Sequence, residues 1–216
     1  VKTLRRGARL AGITELPPST GGMRIALFGG SFNPPHAGHV LVAAQALRRL
    51  ELDAVWLLVS PGNPLKDHSA LAPLVERVTA ALALITDPRI RVTGFEAEHG
   101  FRYSFDTLSH LRQRLADRRL VWLMGADNLV NFHRWERWQD IARLMPMAVY
   151  DRPGATRVAR ASRAAIALSR YRLDESDAPM LADCAPPAWV HLHGLLSPLS
   201  SSAIRRELRP GPASRS

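Results

Sequence analysis

The sequence predicts an α/β fold: a Rossmann-like, doubly wound, mostly parallel sheet with helices on both faces. Three observations predict it. The strand-like runs Ile25–Phe28, Ala54–Val59 and Leu120–Met124 are continuously apolar rather than alternating, as expected of strands buried on both faces. They alternate with segments of helical periodicity, the order that the crossover connections of a parallel sheet demand. The loops after Phe28, Val59 and Met124 fall at the carboxyl ends of their strands, where open α/β sheets bind ligands near a topological switch point.

Taken in order, Met23–Phe28 is the first strand. Gly38–Leu50 is a helix whose apolar positions are Val40, Leu41, Ala44, Leu47 and Leu50. Ala54–Val59 is the second strand, and Ser60–Leu71 is a loop rich in Pro, Gly and Asn. Pro73 suits a first helical position, where a missing N–H costs nothing, so a helix continues over Leu74–Thr86. Arg91–Thr93 is a strand, and Ser104 caps a helix reaching about Ala116. Leu120–Met124 is a strand that runs into Gly125-Ala126-Asp127-Asn128. Val158–Leu168 reads as one solvated amphipathic helix. Arg172–Pro187, with Asp174, Glu175, Asp177 and Asp183, reads as a surface loop. Met147–Tyr150 and Val190–Leu192 complete the strands, and Ser202–Leu208 is a short last helix.

The chain of 216 residues suits one domain, expected over residues 23–209. Residues 1–22 are basic and contain Pro17 and Pro18; they read as a flexible leader and lack the apolar core of a secretory signal. Residues 210–216 read as a mobile tail. No apolar run approaches the length of a membrane span. Cys184 is the sole cysteine, which excludes an intrachain disulfide and fits a reducing, cytoplasmic compartment. Lys and Arg number 29 against 19 Asp and Glu, a net charge of +10 that suits polyanionic partners. The arginines are dispersed and aromatics make up only 6%, which argues against long nucleic acid as a partner. Oligomeric state, a homo-oligomer included, is left open.

Two segments carry chemistry. The first is Gly29-Gly30-Ser31-Phe32-Asn33-Pro34-Pro35-His36-Ala37-Gly38-His39, between a strand and a helix start. Glycines let backbone approach a phosphate with no Cβ in the way. A helix N-terminus offers unpaired N–H groups and a positive dipole end. His36 and His39, at i,i+3 spacing, share one side of the first turn. Together they make a polyphosphate site. The second segment is Leu199-Ser200-Ser201-Ser202-Ala203-Ile204-Arg205. Its serines serve equally as helix caps or, with Arg205, as a second anion site.

The first segment resembles, at Gly29, Gly30, Phe32, Pro34, His36, Gly38 and His39, the signature of the nucleotidyltransferase superfamily marked by a His-x-Gly-His turn. That superfamily transfers a nucleotidyl group and releases pyrophosphate. The second segment is similar to the family's Ile-Ser-x-Thr-x-x-Arg motif, with Leu199 for the isoleucine and Ser202 for the threonine. Gly125-Ala126-Asp127-Asn128-Leu129, with Phe132 and Trp135, resembles the same stretch of bacterial nicotinate-mononucleotide adenylyltransferases. So does Tyr103-Ser104-x-x-Thr107-Leu108.

The resemblance implies that ATP and nicotinate mononucleotide are joined to give nicotinate adenine dinucleotide and pyrophosphate. It implies that His36 and His39 donate to the phosphates and that Arg205 clamps their charge. Gly29, Gly30, Ser31, Phe32, Gly38, Ser200 and Ser202 would support the same anion. Lys66 is either a phosphate contact or a solvated loop residue. Asp127 bonds a ribose or caps a helix. Ser104 sits by the nicotinate carboxylate or is an N-cap, and N–H groups near Trp135 and Glu136 complete that pocket. Trp135 stacks on the pyridinium ring, for which tryptophan offers the best π face, or packs in the core. Trp56, Trp122 and Trp138 read as core. Arg77 matches an arginine of the family with no assigned role. No Cys/His cluster has zinc spacing, so any metal is Mg²⁺ arriving with the triphosphate. The alternatives are an adenylyltransferase acting on nicotinamide mononucleotide or phosphopantetheine, and a nucleotide- or RNA-binding module without the chemistry.

Overall fold

The computed structural model describes residues 12–62, 71–151, 156–194, 199 and 201–207. Among the described residues, six parallel strands form one sheet in the order β3-β2-β1-β4-β5-β6: β1 Arg24–Gly30, β2 Ala54–Val59, β3 Ile90–Thr93, β4 Arg119–Gly125, β5 Met147–Tyr150 and β6 Trp189–Leu192. The chain winds outward in one direction from β1 and in the other from β4, so the switch point lies between these two neighbours. Phe28 sits opposite Leu123 across it. The doubly wound sheet is the one expected, and all its named pairings are parallel.

The helices are α1 Ala37–Arg49, α2 Leu74–Leu84, α3 Phe95–His99, α4 Ser104–Arg114, α5 Ala126–Asn131, α6 Trp138–Leu144, α7 Thr156–Arg160, α8 Arg163–Ala167 and α9 Ser201–Glu207. Successive strand residues point to opposite faces, and each face has its own core. Ile25, Leu27, Trp56, Leu58, Trp122 and Met124 pack under α4, α5 and α6 through Leu108, Leu111, Leu129 and Ile141. Ala26, Phe28, Val55, Leu57 and Leu123 pack under α1 and α2 through Val42, Ala43, Ala46, Leu47 and Val78.

Several elements depart from expectation. The buried stripe of α1 runs through His39, Val42, Ala43, Ala46 and Leu47, while Ala44 is exposed. Small alanines let the helix lie close to the sheet, so the stripe follows close packing rather than side-chain size. Pro73 is the cap residue before α2, not its first helical residue. Likewise Tyr103, not Ser104, is the N-cap of α4, with no side-chain cap bond; Ser104 is the first helical residue. Val158–Leu168 is two short helices, because Ser162 caps α8 by accepting from the Ala165 N–H. Arg172–Pro187 is no mere surface loop: Glu175–Asp183 forms a 3₁₀ helix that buries Ala178, Leu181 and Ala182 against the sheet.

The stretch expected as a flexible leader is described from residue 12, and that part is docked. The Ile13 carbonyl accepts the Gly94 N–H at 2.6 Å, and the Glu15 carbonyl accepts Thr93 Oγ1 at 2.8 Å. The expected tail, Lys66 and Ser200 lie outside the described residues.

Candidate active site

The Gly-rich turn begins where β1 ends. Gly29 has the Trp122 ring against it: a Cβ there would sit 2.3 Å from the ring. Only glycine lets β1 and this indole share the switch point. Phe32 follows with φ +44°, in the left-handed region that strains a residue with a side chain. Its buried ring is seated edge-on to Phe28 and His39, at 5.6 and 4.9 Å between centroids.

Arg77 of α2 pins the turn from behind. The residue is 2% exposed, and its guanidinium donates to the carbonyls of Ser31 at 2.7 Å, Ser60 at 2.8 Å and Ala72 at 2.8 Å. Burial lowers its pKa from the arginine value. This buried cation ties the loops after β1 and β2 together, a structural role that its motif match left unassigned. Asn33 Oδ1 adds a bond from the Ala72 N–H at 3.2 Å.

His36 and His39 form a reciprocal cap on α1. His36 Nδ1 accepts the Gly38 N–H, and His39 Nδ1 accepts the His36 N–H, each at 3.2 Å. A ring nitrogen that accepts carries no proton, so both neutral rings hold theirs on Nε2. Both side chains are buried, with centroids 3.8 Å apart. The pair therefore does more than line a turn: the backbone fixes the tautomer and orientation of both rings.

The second motif is brought to the first. On α9, Arg205 donates to the Asn33 carbonyl and, at 3.2 Å, to Ser202 Oγ. Ser201 Oγ donates to the Pro34 carbonyl at 2.9 Å. Segments far apart in sequence thus meet at the Asn33–Pro34 turn that leads directly into His36. Neither motif contains a carboxylate, so this end is rich in donors for an anion.

A cavity of about 470 Å³ opens beside the turn. Gly29, Gly30 and Ser31 form one wall, with Trp122 and Asn128; Ser104, Trp135 and Glu136 line the rest together with Glu96, Arg102 and Arg134. His36, His39 and Arg205 are not among its lining residues. Trp135 is half-buried, edge-to-face with Phe132 at 5.5 Å, so it both packs on the core and faces the cavity. Trp122 also serves both purposes, whereas Trp56 is wholly core. Asp127 is the exposed second residue of α5; the cap position belongs to Gly125.

Sequence reasoning missed Glu96. It is 8% exposed, and its Oε1 accepts from Thr107 Oγ1 at 3.1 Å. Burial pushes its pKa up to about 7, against a smaller lowering by the Thr107 bond. Alternation with Glu98 in a short polar stretch resembles a solvated turn, and only the packing of α3 against α4 reveals the burial.

Among the described residues, one group has the composition of a metal site: Asp151, His191 and His193, within 4.8 Å of one another. His191 Nε2 lies 3.1 Å from Asp151 Oδ1, and His193 Nδ1 lies 2.6 Å from Glu175 Oε2. The two rings are near-parallel, 6° apart. Lone pairs in parallel ring planes do not converge on one ion, so the group reads as two stacked histidine–carboxylate pairs. Burial lowers the His191 pKa, with Asp151 opposing.

A family model described as cytidylyltransferase-like matches residues 27–207. A probable nicotinate-nucleotide adenylyltransferase of Methylorubrum extorquens is 60% identical over 183 residues, 85% of this chain and 99% of that protein. A probable nicotinate-nucleotide adenylyltransferase of Brucella abortus (strain 2308) is 53% identical over 192 residues, 88% of this chain and 99% of that protein. Among solved structures, nicotinic acid mononucleotide adenylyltransferase of Plasmodium falciparum, complexed with NaAD, superposes with a TM-score of 0.64. It shares 16% identity over 85% of this chain and 83% of its own, and speaks for the fold alone.

Proposed function

Since the chain belongs to the cytidylyltransferase-like family, we propose that it transfers the adenylyl group of ATP to nicotinate mononucleotide. The products are nicotinate adenine dinucleotide and pyrophosphate, and the enzyme acts in NAD biosynthesis. The observation that carries this reading is the junction of the two anion-binding motifs at Asn33–Pro34, beside a cavity that contains Trp135. The acceptor follows from relatives at 53–60% identity along nearly their whole length.

In the mechanism, a 5′-phosphate oxygen of the mononucleotide attacks the α-phosphorus of ATP. A new P–O bond forms as the bond to the β-phosphate bridge breaks, and pyrophosphate leaves with the electron pair. The attacking phosphate is already anionic, so no protein nucleophile is needed. Rate then comes from alignment and from donors aimed at developing charge. His36 and His39 supply Nε2–H donors, Arg205 and Ser202 supply charge and a hydroxyl, and the Gly29–Ser31 backbone approaches the same anion. Such donors, fixed before the substrate arrives, cost no reorganisation during reaction.

Trp135 stacks on the pyridinium ring, and Ser104 with the N–H groups near Trp135 and Glu136 receives the ring carboxylate. Asp127 bonds a ribose. Ser200 and Lys66, outside the described residues, belong to the phosphate end by sequence motif and loop position. ATP enters with a divalent ion, which we assign as Mg²⁺. Triphosphate oxygens and water would hold it, since the two motifs offer no carboxylate for it. Among the described residues no helix is long and apolar enough to cross a membrane. Work on ATP and a mononucleotide belongs where those are made, and we assign the cytoplasm.

The test is a panel of nicotinate mononucleotide, nicotinamide mononucleotide and phosphopantetheine, each with ATP, read by pyrophosphate release. The reading expects the highest kcat/KM with nicotinate mononucleotide. Faster turnover of either other acceptor reassigns the substrate, and nucleotide binding with no release from any acceptor removes the activity.

A further inference from the structure

Glu96 is the buried acid of the cavity, and the mechanism above does not use it. It stands near the start of α3, directly after β3, at the ligand end of the sheet. Thr107 Oγ1 occupies its Oε1, while Oε2 has no hydrogen-bond partner among the described residues. Glu96 shares the cavity with Ser104 and Trp135, the residues assigned to the nicotinate ring. A carboxyl group in such a place has two chemically opposite forms. Neutral, it donates a proton to a carboxylate. Ionised, it accepts from an amide NH₂ and repels a carboxylate.

We propose that Glu96 is a specificity-determining residue, whose Oε2–H donates to the ring carboxylate of the mononucleotide and so favours the acid over the amide. The inference rests on the functional reading above. Its physical support is that burial already holds the group at about 7, so the neutral form is abundant at neutral pH. A carboxylate bound beside it favours that neutral form further. The charged and titratable groups around it are Arg102 and Tyr103 on the α3–α4 loop, Arg134 and Glu136 beyond α5, and His99 and His110 against Phe95. None of these bonds Glu96, whose one hydrogen-bond partner among the described residues is Thr107. Thr107 acts as a positioning residue: by donating to Oε1 it leaves the acid proton to Oε2.

The experiment compares kcat/KM for nicotinate and nicotinamide mononucleotides, with saturating ATP, from about pH 5.5 to about pH 8.5. The 5′-phosphate is common to both, so its titration cancels in the ratio. As pH rises through neutrality, the acid-over-amide ratio of the wild-type enzyme should fall about 10-fold or more, the worth of a hydrogen bond to a charged group. Glu96→Gln keeps an oxygen for Thr107 and a permanent N–H donor, so its ratio should be flat with pH. A purely structural Glu96 would let the Gln variant change melting temperature while its ratio kept the wild-type profile; that result overturns the proposal. A wild-type ratio independent of pH overturns it too. Should the wild-type enzyme turn over neither mononucleotide, the functional reading itself fails and the inference with it.

Discussion

At the carboxyl end of β1 the groups proposed to meet the phosphates are held by backbone. His36 and His39 are locked by reciprocal bonds to main-chain N–H groups, Arg205 leans on the Asn33 carbonyl, and Arg77 ties three carbonyls from behind. The cavity adds to a wall of Gly29, Gly30, Ser31, Ser60, Gly62 and Trp122 the side chains of four separate stretches: Glu96, Arg102 to Ser104, Asn128 and Arg134 to Glu136. The first region presents a fixed constellation, suited to a charge that appears only during reaction. The second offers ring, carboxyl and guanidinium groups of mixed exposure, suited to telling one acceptor from another. Under the proposed mechanism, chemistry falls to the first region and choice of substrate to the second, with the Gly29–Ser31 turn common to both.

That division can be broken by experiment, and the largest effect belongs to the phosphate end. His39→Asn keeps an acceptor near the Nδ1 position and removes the Nε2 proton. Its kcat should fall roughly 10²- to 10³-fold, the cost of one lost preorganised donor, with little change in melting temperature. Near wild-type turnover would dissolve the distinction between the two regions.

Next comes the pH dependence of folding set by Glu96. Its folded pKa, raised by burial to about 7, lies above the ordinary glutamate value. The folded state is therefore favoured at low pH, and stability is lost as pH rises from the ordinary glutamate range through about 7, on the order of 3 kcal/mol for this one group. Urea denaturation of the ligand-free protein at several pH values should show that slope, and Glu96→Gln should remove most of it.

Trp135→Ala should weaken nicotinate mononucleotide binding roughly 10- to 30-fold, as lost cation–π stacking in a desolvated site requires, and leave ATP binding nearly unchanged. Calorimetric titration with each ligand separates the two, and equal losses would mean that the indole merely supports the fold. The smallest change is Ser202→Ala. Arg205 keeps its bond to the Asn33 carbonyl when this hydroxyl goes, so kcat/KM should drop only about 3- to 10-fold.

The contrast between the two regions also explains what was legible in the sequence. The phosphate end is local: strand, Gly-rich turn, two histidines and a helix start lie in one continuous run, and the serine–arginine segment announces itself by residue type. Continuous apolar runs likewise disclosed the parallel sheet. What stayed hidden depends on contacts remote in sequence. Glu96 looks solvated until Thr107 and α4 close over it. Glu175–Asp183 looks like an acidic loop, yet its Ala178 and Leu181 reach the core on a 3₁₀ helix. Ser104 has the residue type of an N-cap, but the helix begins one residue earlier than that reading needs. Propensity names what a residue can do locally, and tertiary packing decides between the options.

In the proposed mechanism a preformed anion crevice accelerates one direct displacement at phosphorus. ATP made chiral at the α-phosphorus tests it most directly, by the configuration of that atom in the dinucleotide product. A single in-line attack by the mononucleotide phosphate gives inversion, which is the outcome expected here. Retention would require two displacements, and hence an adenylylated protein group, which contradicts the proposed mechanism.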